Sequence, residues 1–256
     1  MRICPKCGQL LSACSEQWFA DSMQEFNQPE GTLPSGRNAL RYKKRMGKML
    51  ADAAARLGKQ PTEMEMLDVG CSSGALLRVA GDLGFAVYGV EPATTAASTA
   101  RTLGFEVFDG LLEEAAYADN RFDLVTLFEV IEHLTEPADL LLEIRRILKP
   151  GGILLLGTGN GASWTAQALG AKWEYFDISL HGGHISFFNP ESLRLLADRC
   201  GLTMTSVQTS KVNFAERKDV GPVVYRFSRA ARELMLWPSR WLGRGHDMLA
   251  TLQKPE

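Results

Sequence analysis

Hydrophobic positions along most of the chain follow two rhythms that take turns. Short apolar runs over residues 64–69, 86–90, 105–108, 122–128 and 152–157 have the length and continuity of buried strands. Between them, residues 75–83, 94–103 and 137–148 repeat apolar side chains at helical spacing. Strands alternating with helices over short connections predict an α/β domain, with a parallel sheet covered on both faces. Asn189 and Pro190 have the residue types of an N-cap and a first helical position, so a helix is expected over 190–200. Strands are expected again over 202–212 and 247–252. Between these two, residues 217–244 carry Tyr225, Phe227, Leu234, Leu236, Trp237 and Trp241 among arginines. This segment reads as one or two amphipathic helices inserted before the last strand, with the apolar face packed on the body of the protein. Covering a substrate and lying on a lipid surface are the alternative uses of such a face.

Upstream, residues 38–57 set Leu40, Met46, Met49, Leu50, Ala53, Ala54 and Leu57 at helical spacing, and Gly58 is a suitable stop. What precedes is different in character: a cysteine knuckle, polar residues and a Pro/Gly-rich loop over 27–36. The chain is therefore expected to divide into an N-terminal arm, 1–37, and a main domain, 38–256.

Composition narrows the class. The chain has 256 residues, 45% of them hydrophobic and 23% charged, ordinary for a globular protein with a full core. A formal net charge of −2 gives no footprint for bulk attraction to nucleic acid or an acidic membrane, although it can hide a local basic patch. No apolar run is long enough to span a bilayer, and no signal-peptide stretch follows Met1. Five cysteines, three of them crowded at the start, do not form a secreted disulfide framework, so a cytoplasmic protein is expected.

The sharpest chemical signal is Asp68-Val69-Gly70-Cys71-Ser72-Ser73-Gly74, between a predicted strand and a predicted helix. Gly70 suits a tight turn, and Gly74 lets the loop approach a ligand before the helix begins. The spacing is Gly-x-Ser-x-Gly and not the Gly-x-Gly-x-x-Gly of dinucleotide sites. Asp68 would repel a pyrophosphate but suits a ligand carrying a sulfonium. Glu91 ends the next strand, where a carboxylate can accept hydrogen bonds from both ribose hydroxyls of an adenosine. Two carboxylates at matching strand ends, one beside a glycine loop, are poorly explained as solvated loop residues.

These motifs resemble those of the class I S-adenosylmethionine-dependent methyltransferases. The resemblance extends through Arg121-Phe122-Asp123-Leu124-Val125 to Glu132-His133-Leu134 and through Leu148-Lys149-Pro150-Gly151-Gly152. It implies a Rossmann-like, seven-stranded, mostly parallel sheet whose last strand is antiparallel. It also implies that Gly70, Cys71, Ser72 and Gly74 hold the methionine end of S-adenosylmethionine, and that Glu91 with Pro92 holds the ribose. Asp109, Gly110 and Leu111 would flank the adenine, and the Phe128 carbonyl would sit near the methionine amine. Within the class, the chain is similar to the ubiquinone-biosynthesis O-methyltransferases. The similarity lies in Glu129-Val130-Ile131-Glu132-His133 and in His184-Ile185-Ser186-Phe187-Phe188-Asn189-Pro190. Asn38-Ala39-Leu40-Arg41 resembles their Asn-x-Leu-Arg segment, which implies that Arg41 grips the cofactor carboxylate.

In those enzymes, and in a small-RNA methyltransferase with a similar motif, the Glu-x-x-Glu-His residues bind a divalent metal. The resemblance makes Glu129, Glu132, His133 and His184 candidate ligands, with Glu129 and His133 expected one helical turn apart. Magnesium, manganese, zinc and iron all suit the donor set. The metal-free alternative is that Glu132-His133 begins a helix near the cofactor. Methyl transfer needs alignment and removal of one proton, so His133, His181, His184 and Glu129 are candidate catalytic groups. Glu129, Glu132, His133 and His184 are expected to meet at the carboxyl ends of neighbouring strands, on the acceptor side of the cofactor.

Cys4-Pro5-Lys6-Cys7-Gly8 has the form of a zinc knuckle, with Cys14 as a nearby third ligand. It resembles one half of the two-knuckle zinc ribbon that begins some methyltransferases of sugar and surface-polymer pathways. A degenerate ribbon and a three-cysteine zinc site both remain open. The expected activity is methylation of a hydroxyl on a small molecule or carrier-linked metabolite. The alternatives are an RNA-directed metal-assisted methyltransferase, against which the near-neutral charge argues, and a non-catalytic cofactor-binding protein.

Overall fold

The computed structural model describes residues 1–13, 15, 17, 33–177, 183–215 and 220–256. Cys14, His181, Arg217 and most of the 27–36 loop lie outside the described residues. The strands are β1 (Arg2–Ile3), β2 (Leu10–Leu11), β3 (Glu65–Val69), β4 (Ala86–Glu91), β5 (Glu106–Asp109), β6 (Phe122–Phe128), β7 (Leu148–Gly159), β8 (Ser186–Phe187), β9 (Thr203–Ser210) and β10 (Asp247–Gln253). The helices are α1 (Gly36–Arg56), α2 (Ala75–Leu83), α3 (Thr94–Thr102), α4 (Pro137–Ile147), α5 (Trp164–Leu169), α6 (Pro190–Arg199) and α7 (Pro222–Trp241).

Seven strands form one sheet in the order β5-β4-β3-β6-β7-β10-β9. Strands β3 to β7 pair in parallel, and β10 enters antiparallel between β7 and β9. The expected Rossmann-like sheet with an antiparallel last strand is therefore present. Strand order turns round at β3 and β6, so the crevice beyond their carboxyl ends is where such a sheet receives a ligand.

Both faces are dry. On one, α1 turns in Met46, Leu50, Ala53 and Ala54, the predicted helical stripe, against Met66, Leu124, Ile153 and Leu155. On the other, Leu141, Ile144 and Leu193 pack on Leu67, Val125, Leu154 and Leu252. Each fully buried Leu or Ile contributes roughly 1.5–3 kcal/mol, which fixes the sheet as a rigid mount for its loops.

Four differences from the sequence reading matter. Helix α4 stops at Ile147 because Leu148 joins β7, pairing with Phe122 before an irregularity that skips to Ile153 opposite Leu124. The Pro150-Gly151-Gly152 run supplies that irregularity, with Gly151 at φ +74°. Residues 131–133 form a single 3-10 turn, and Glu129 precedes it with φ +54°, so Glu129 and His133 do not sit one α-helical turn apart. The N-terminal arm, whose docking the sequence does not indicate, is paired with the main domain. Its hairpin β1–β2 adds to β8 as a three-stranded antiparallel sheet, with Leu10 opposite Phe187.

The fourth difference concerns α7. It is one helix with Pro238 near its end, and its apolar face does not pack on the body of the protein. Ser239 is its buried residue, whereas Phe227, Leu234, Trp237 and Trp241 are exposed. The helix docks through its smaller and more polar side, so the aromatic stripe is left facing outward.

A cofactor crevice and a buried Glu-His-His cluster

The loop after β3 is shaped by its backbone. Gly70 has φ +75°, and a Cβ there would lie 2.5 Å from Val130 Cγ2, so only glycine fits. The amides of Gly70 and Cys71 both donate to the Val90 carbonyl, at 2.8 and 3.1 Å, which ties the loop to the end of β4. Gly74 (φ +83°) packs against Ala100 of α3 and leads into α2. Ser72 itself takes φ +48°.

Glu91 is buried at the end of β4 and acts as a clamp. One carboxylate oxygen accepts from the Ser72 amide at 2.8 Å, and the other accepts from the Ala93 amide at 2.9 Å. Each oxygen keeps a second lone pair for an incoming hydroxyl. Pro92, beside it, is exposed. Asp109 lies opposite Glu91 in register, accepts from the Thr94 hydroxyl, and is followed by Gly110 and the exposed Leu111. These residues border one end of the crevice.

Asp68 lies in the sheet between Gly89 and Thr126, and the Thr126 hydroxyl donates to it at 2.6 Å. Burial pushes its carboxyl up to about 7, the Thr126 bond opposes this, and the nearby Glu91 charge adds to it. From α1, the residue that comes near Asp68 is Tyr42, whose phenol is pushed up to about 12 by burial and the Asp68 charge. Arg41 is exposed on the same helix. Tyr42 was not singled out from sequence, where it is one aromatic among charged neighbours. Phe128, at the end of β6, packs its ring over Gly157 of β7.

Across the crevice, the segment after β6 brings a second set of groups. Glu132, His133 and His184 are buried, and each offers a ligand atom within 4.8 Å of the others. The His133 and His184 rings are 4.6 Å apart. His184 Nδ1 meets the Tyr175 carbonyl at 2.9 Å, so it donates there in the neutral ring and leaves the Nε2 lone pair facing Glu132, 4.0 Å away. Both Glu132 carboxylate oxygens are sealed from solvent with no hydrogen-bond partner among the described residues. Burial, then the charge of Glu129, raises the Glu132 carboxyl well above the usual range. Glu129 supplies none of these three ligand atoms; exposed beside Glu132, it accepts the Tyr175 hydroxyl at 2.5 Å.

A buried carboxylate without partners is costly, and a divalent cation is one remedy for it. One carboxylate and two imidazoles, one of them oriented by a carbonyl on its other nitrogen, fit such an ion. The glycine cradle that a Cβ would fill, and the preorganised Glu91, fit an adenosyl cofactor on the same grounds.

Beyond the cluster lies an open cavity of about 600 Å³, lined among others by Arg45, Trp173, Lys211, Leu236, Arg240 and His246. Trp173 stacks on Tyr175 at 5.1 Å and donates its indole N–H to His246 Nδ1 at 3.1 Å. His246 was missed from sequence because its partner is 73 residues away and no local motif announces it. The arm reaches the same region. Asn189 donates to the Cys7 carbonyl, Ser12 donates to the Ile185 carbonyl, and Leu10 packs with Trp173 and Phe187. Cys4 and Cys7 are partly exposed in its turn.

The sheet order, the glycine loop after β3 and the carboxylate ending β4 define a class I S-adenosylmethionine-dependent methyltransferase. The family model described as a methyltransferase domain matches residues 42–207, and the chain belongs to that family. It is 29% identical over 181 residues to a ubiquinone biosynthesis O-methyltransferase of Cereibacter sphaeroides, covering 67% of this chain and 70% of the relative. A methyltransferase structure from Archaeoglobus fulgidus shares the fold, with a TM-score of 0.55 at 19% identity over 81% of this chain and 94% of that one. So does the cyclase SpnF, with a TM-score of 0.54 at 18% identity over 93% of both chains. The fold by itself thus does not name the reaction. Among the described residues, no helix is long and apolar enough to cross a membrane.

Proposed function

We propose that the protein transfers the methyl group of S-adenosylmethionine to a hydroxyl of a small molecule or carrier-linked metabolite. The observation that carries this reading is the buried Glu132 carboxyl facing the Nε2 lone pair of His184, on the far side of the crevice from Glu91. S-adenosylmethionine supplies a methyl group already made electrophilic by its sulfonium. The protein's own work is therefore to align an acceptor and accept a proton. Glu91 holds the ribose hydroxyls, the Gly70–Gly74 backbone receives the methionine end, and Asp68 balances positive charge. Phe128 and Arg41 are proposed at the methionine amine and carboxylate, and Asp109, Gly110 and Leu111 at the adenine.

On the acceptor side, His184 takes the hydroxyl proton on Nε2 while its Nδ1–H remains on the Tyr175 carbonyl. Glu132 and His133 complete the group that orients the acceptor oxygen, and Glu129 holds Tyr175 in place. Glu132, His133 and His184 would also hold a divalent metal, which would lower the pKa of a bound hydroxyl. Similarity to a ubiquinone biosynthesis O-methyltransferase supports oxygen as the methylated atom. The arm, residues 1–37, is proposed as an appendage bracing the acceptor side, with a Cys4–Cys7 knuckle able to take zinc if Cys14 and a fourth ligand complete it.

The test offers matched acceptors, a phenol and its aniline analogue, and follows the labelled methyl group by mass. Methylation of the phenol, weakened at least tenfold in His184→Ala with cofactor affinity retained, is the expected result. Preferential methylation of the amine, or no transfer to any hydroxyl, would overturn the reading.

A further inference from the structure

Helix α7 has three faces with different chemistry. Its inner face, with Arg232, Leu236 and the buried Ser239, lies toward the 600 Å³ cavity or the body of the protein. Its outer face is a stripe of Val223, Phe227, Leu234 and Trp241, spaced by four and seven residues, with Trp237 beside it. Phe227 is 71% exposed, Leu234 73%, Trp237 76% and Trp241 80%. Four large apolar side chains exposed on one helix form a contiguous patch and not a scatter. Arg226 and Arg229 occupy the flank between the two faces, both exposed, and among the described residues no ion pair engages them, while Arg240 on the same flank also lines the cavity. Glu233, the helix's one acidic residue, is bridged to Arg232 at 2.9 Å.

We propose that α7 is an interfacial helix that docks the protein on an anionic membrane surface. The arrangement matches the physics of that interface. Tryptophan and phenylalanine partition to the headgroup boundary, and arginines along one flank meet lipid phosphates while their apolar stems stay on the stripe. At twenty residues the helix is about 30 Å long, and its arginines keep it in the plane of the surface. The chain's net charge of −2 does not show this, because it averages over the whole chain, whereas α7 itself carries four arginines against one glutamate. A second copy of the chain fits the stripe less well. Antiparallel pairing of two such helices sets arginine flank against arginine flank.

The experiment is co-sedimentation of the full chain with phosphatidylglycerol vesicles and with phosphatidylcholine vesicles, at low and high salt, beside light scattering without lipid. The proposal expects binding to phosphatidylglycerol at least tenfold tighter than to phosphatidylcholine, weakening as salt rises. Phe227→Ser with Trp241→Ser should reduce partitioning on the order of tenfold or more, and Arg226→Gln or Arg229→Gln roughly fivefold each. All variants should keep wild-type cofactor affinity and melting behaviour, because these side chains support no core contact. Equal binding to both vesicles, binding to neither, or full binding by the Phe227→Ser/Trp241→Ser protein overturns the proposal. A lipid-free dimer that the same double variant dissolves also overturns it and assigns the stripe to a second copy.

Discussion

The two sides of the crevice are built in opposite ways. On the β3–β5 side, the loop and carboxylate groups lie at or just after a strand end, joined by Tyr42 and, as proposed, Arg41 from α1, and backbone amides set most of the geometry. Gly70, Cys71, Ser72 and Ala93 bond to a neighbouring strand or to Glu91 within a stretch of about two dozen residues. On the β6–β10 side, the groups come from three separate segments. Glu129, Glu132 and His133 follow β6, Tyr175 and His184 follow β7, and His246 precedes β10. There side chains meet side chains, through Tyr175 to Glu129 and Trp173 to His246. A backbone-built site suits a ligand that never changes. A side-chain-built site can be re-cut for a new acceptor without touching the cofactor, which is how one fold serves many reactions.

The largest expected effect tests whether the halves are separable. Glu132→Gln should lower kcat by about 10²–10⁴, as for loss of an acid-base or metal-holding group, and leave cofactor affinity within about twofold. Steady-state kinetics beside calorimetry check both. An equal fall in cofactor affinity would mean that Glu132 also supports the β3 side, and the division would fail.

The reverse test is next in size. Glu91→Ala should weaken S-adenosylmethionine binding by roughly 1.5–3 kcal/mol, the range for hydrogen bonds to a charged group. The loss includes release of the Ser72 and Ala93 amides, so Glu91→Gln, which retains one oxygen acceptor, should recover part of it. Wild-type affinity in a folded Glu91→Ala protein would remove Glu91 from the ribose.

This contrast explains what could be read from sequence. The loop at Gly70 and the carboxylate at Glu91 were legible because strand, turn and helix are contiguous and each imposes a residue type. The β1–β2–β8 sheet was not, since two-residue strands carry no periodicity. The Glu129–His133 spacing misled because it assumes a helix, and Glu129 instead takes a left-handed backbone before a 3-10 turn. The apolar pattern of α7 was correctly seen and wrongly oriented. Periodicity gives a helix its stripe but does not say what covers it.

Acidity sharpens the cofactor side further. With its carboxyl pushed up to about 7, Asp68 is largely protonated in mildly acidic solution. A cationic ligand beside it must then displace that proton. Affinity should accordingly fall by up to about tenfold per pH unit below 7 and level off above it. Calorimetry between about pH 5 and pH 8, in buffers of different ionisation enthalpy, should find proton release on binding at the acidic end. Asp68→Asn should flatten the profile. A profile unchanged by that substitution would place the ligand's positive charge elsewhere.

The smallest effect tests the acceptor side's supports. Tyr175 donates to Glu129, its phenol is pushed far above its ordinary range by burial and the Glu129 charge, and its carbonyl orients His184. Tyr175→Phe removes only the hydroxyl. The carbonyl on His184 Nδ1 and the stack on Trp173 remain. Glu129 is exposed and can rehydrate, so the cost in stability should be about 1 kcal/mol, at the low end for a hydrogen bond to a carboxylate. If Tyr175 and Glu129 only position the neighbouring histidine, kcat should fall by less than about tenfold with KM for the acceptor nearly unchanged. A fall on the scale of Glu132→Gln would show instead that the Tyr175 hydroxyl touches the acceptor itself. The proton path would then run through Tyr175 and Glu129, and the side-chain-built half would have a different reacting centre from the one assigned to His184.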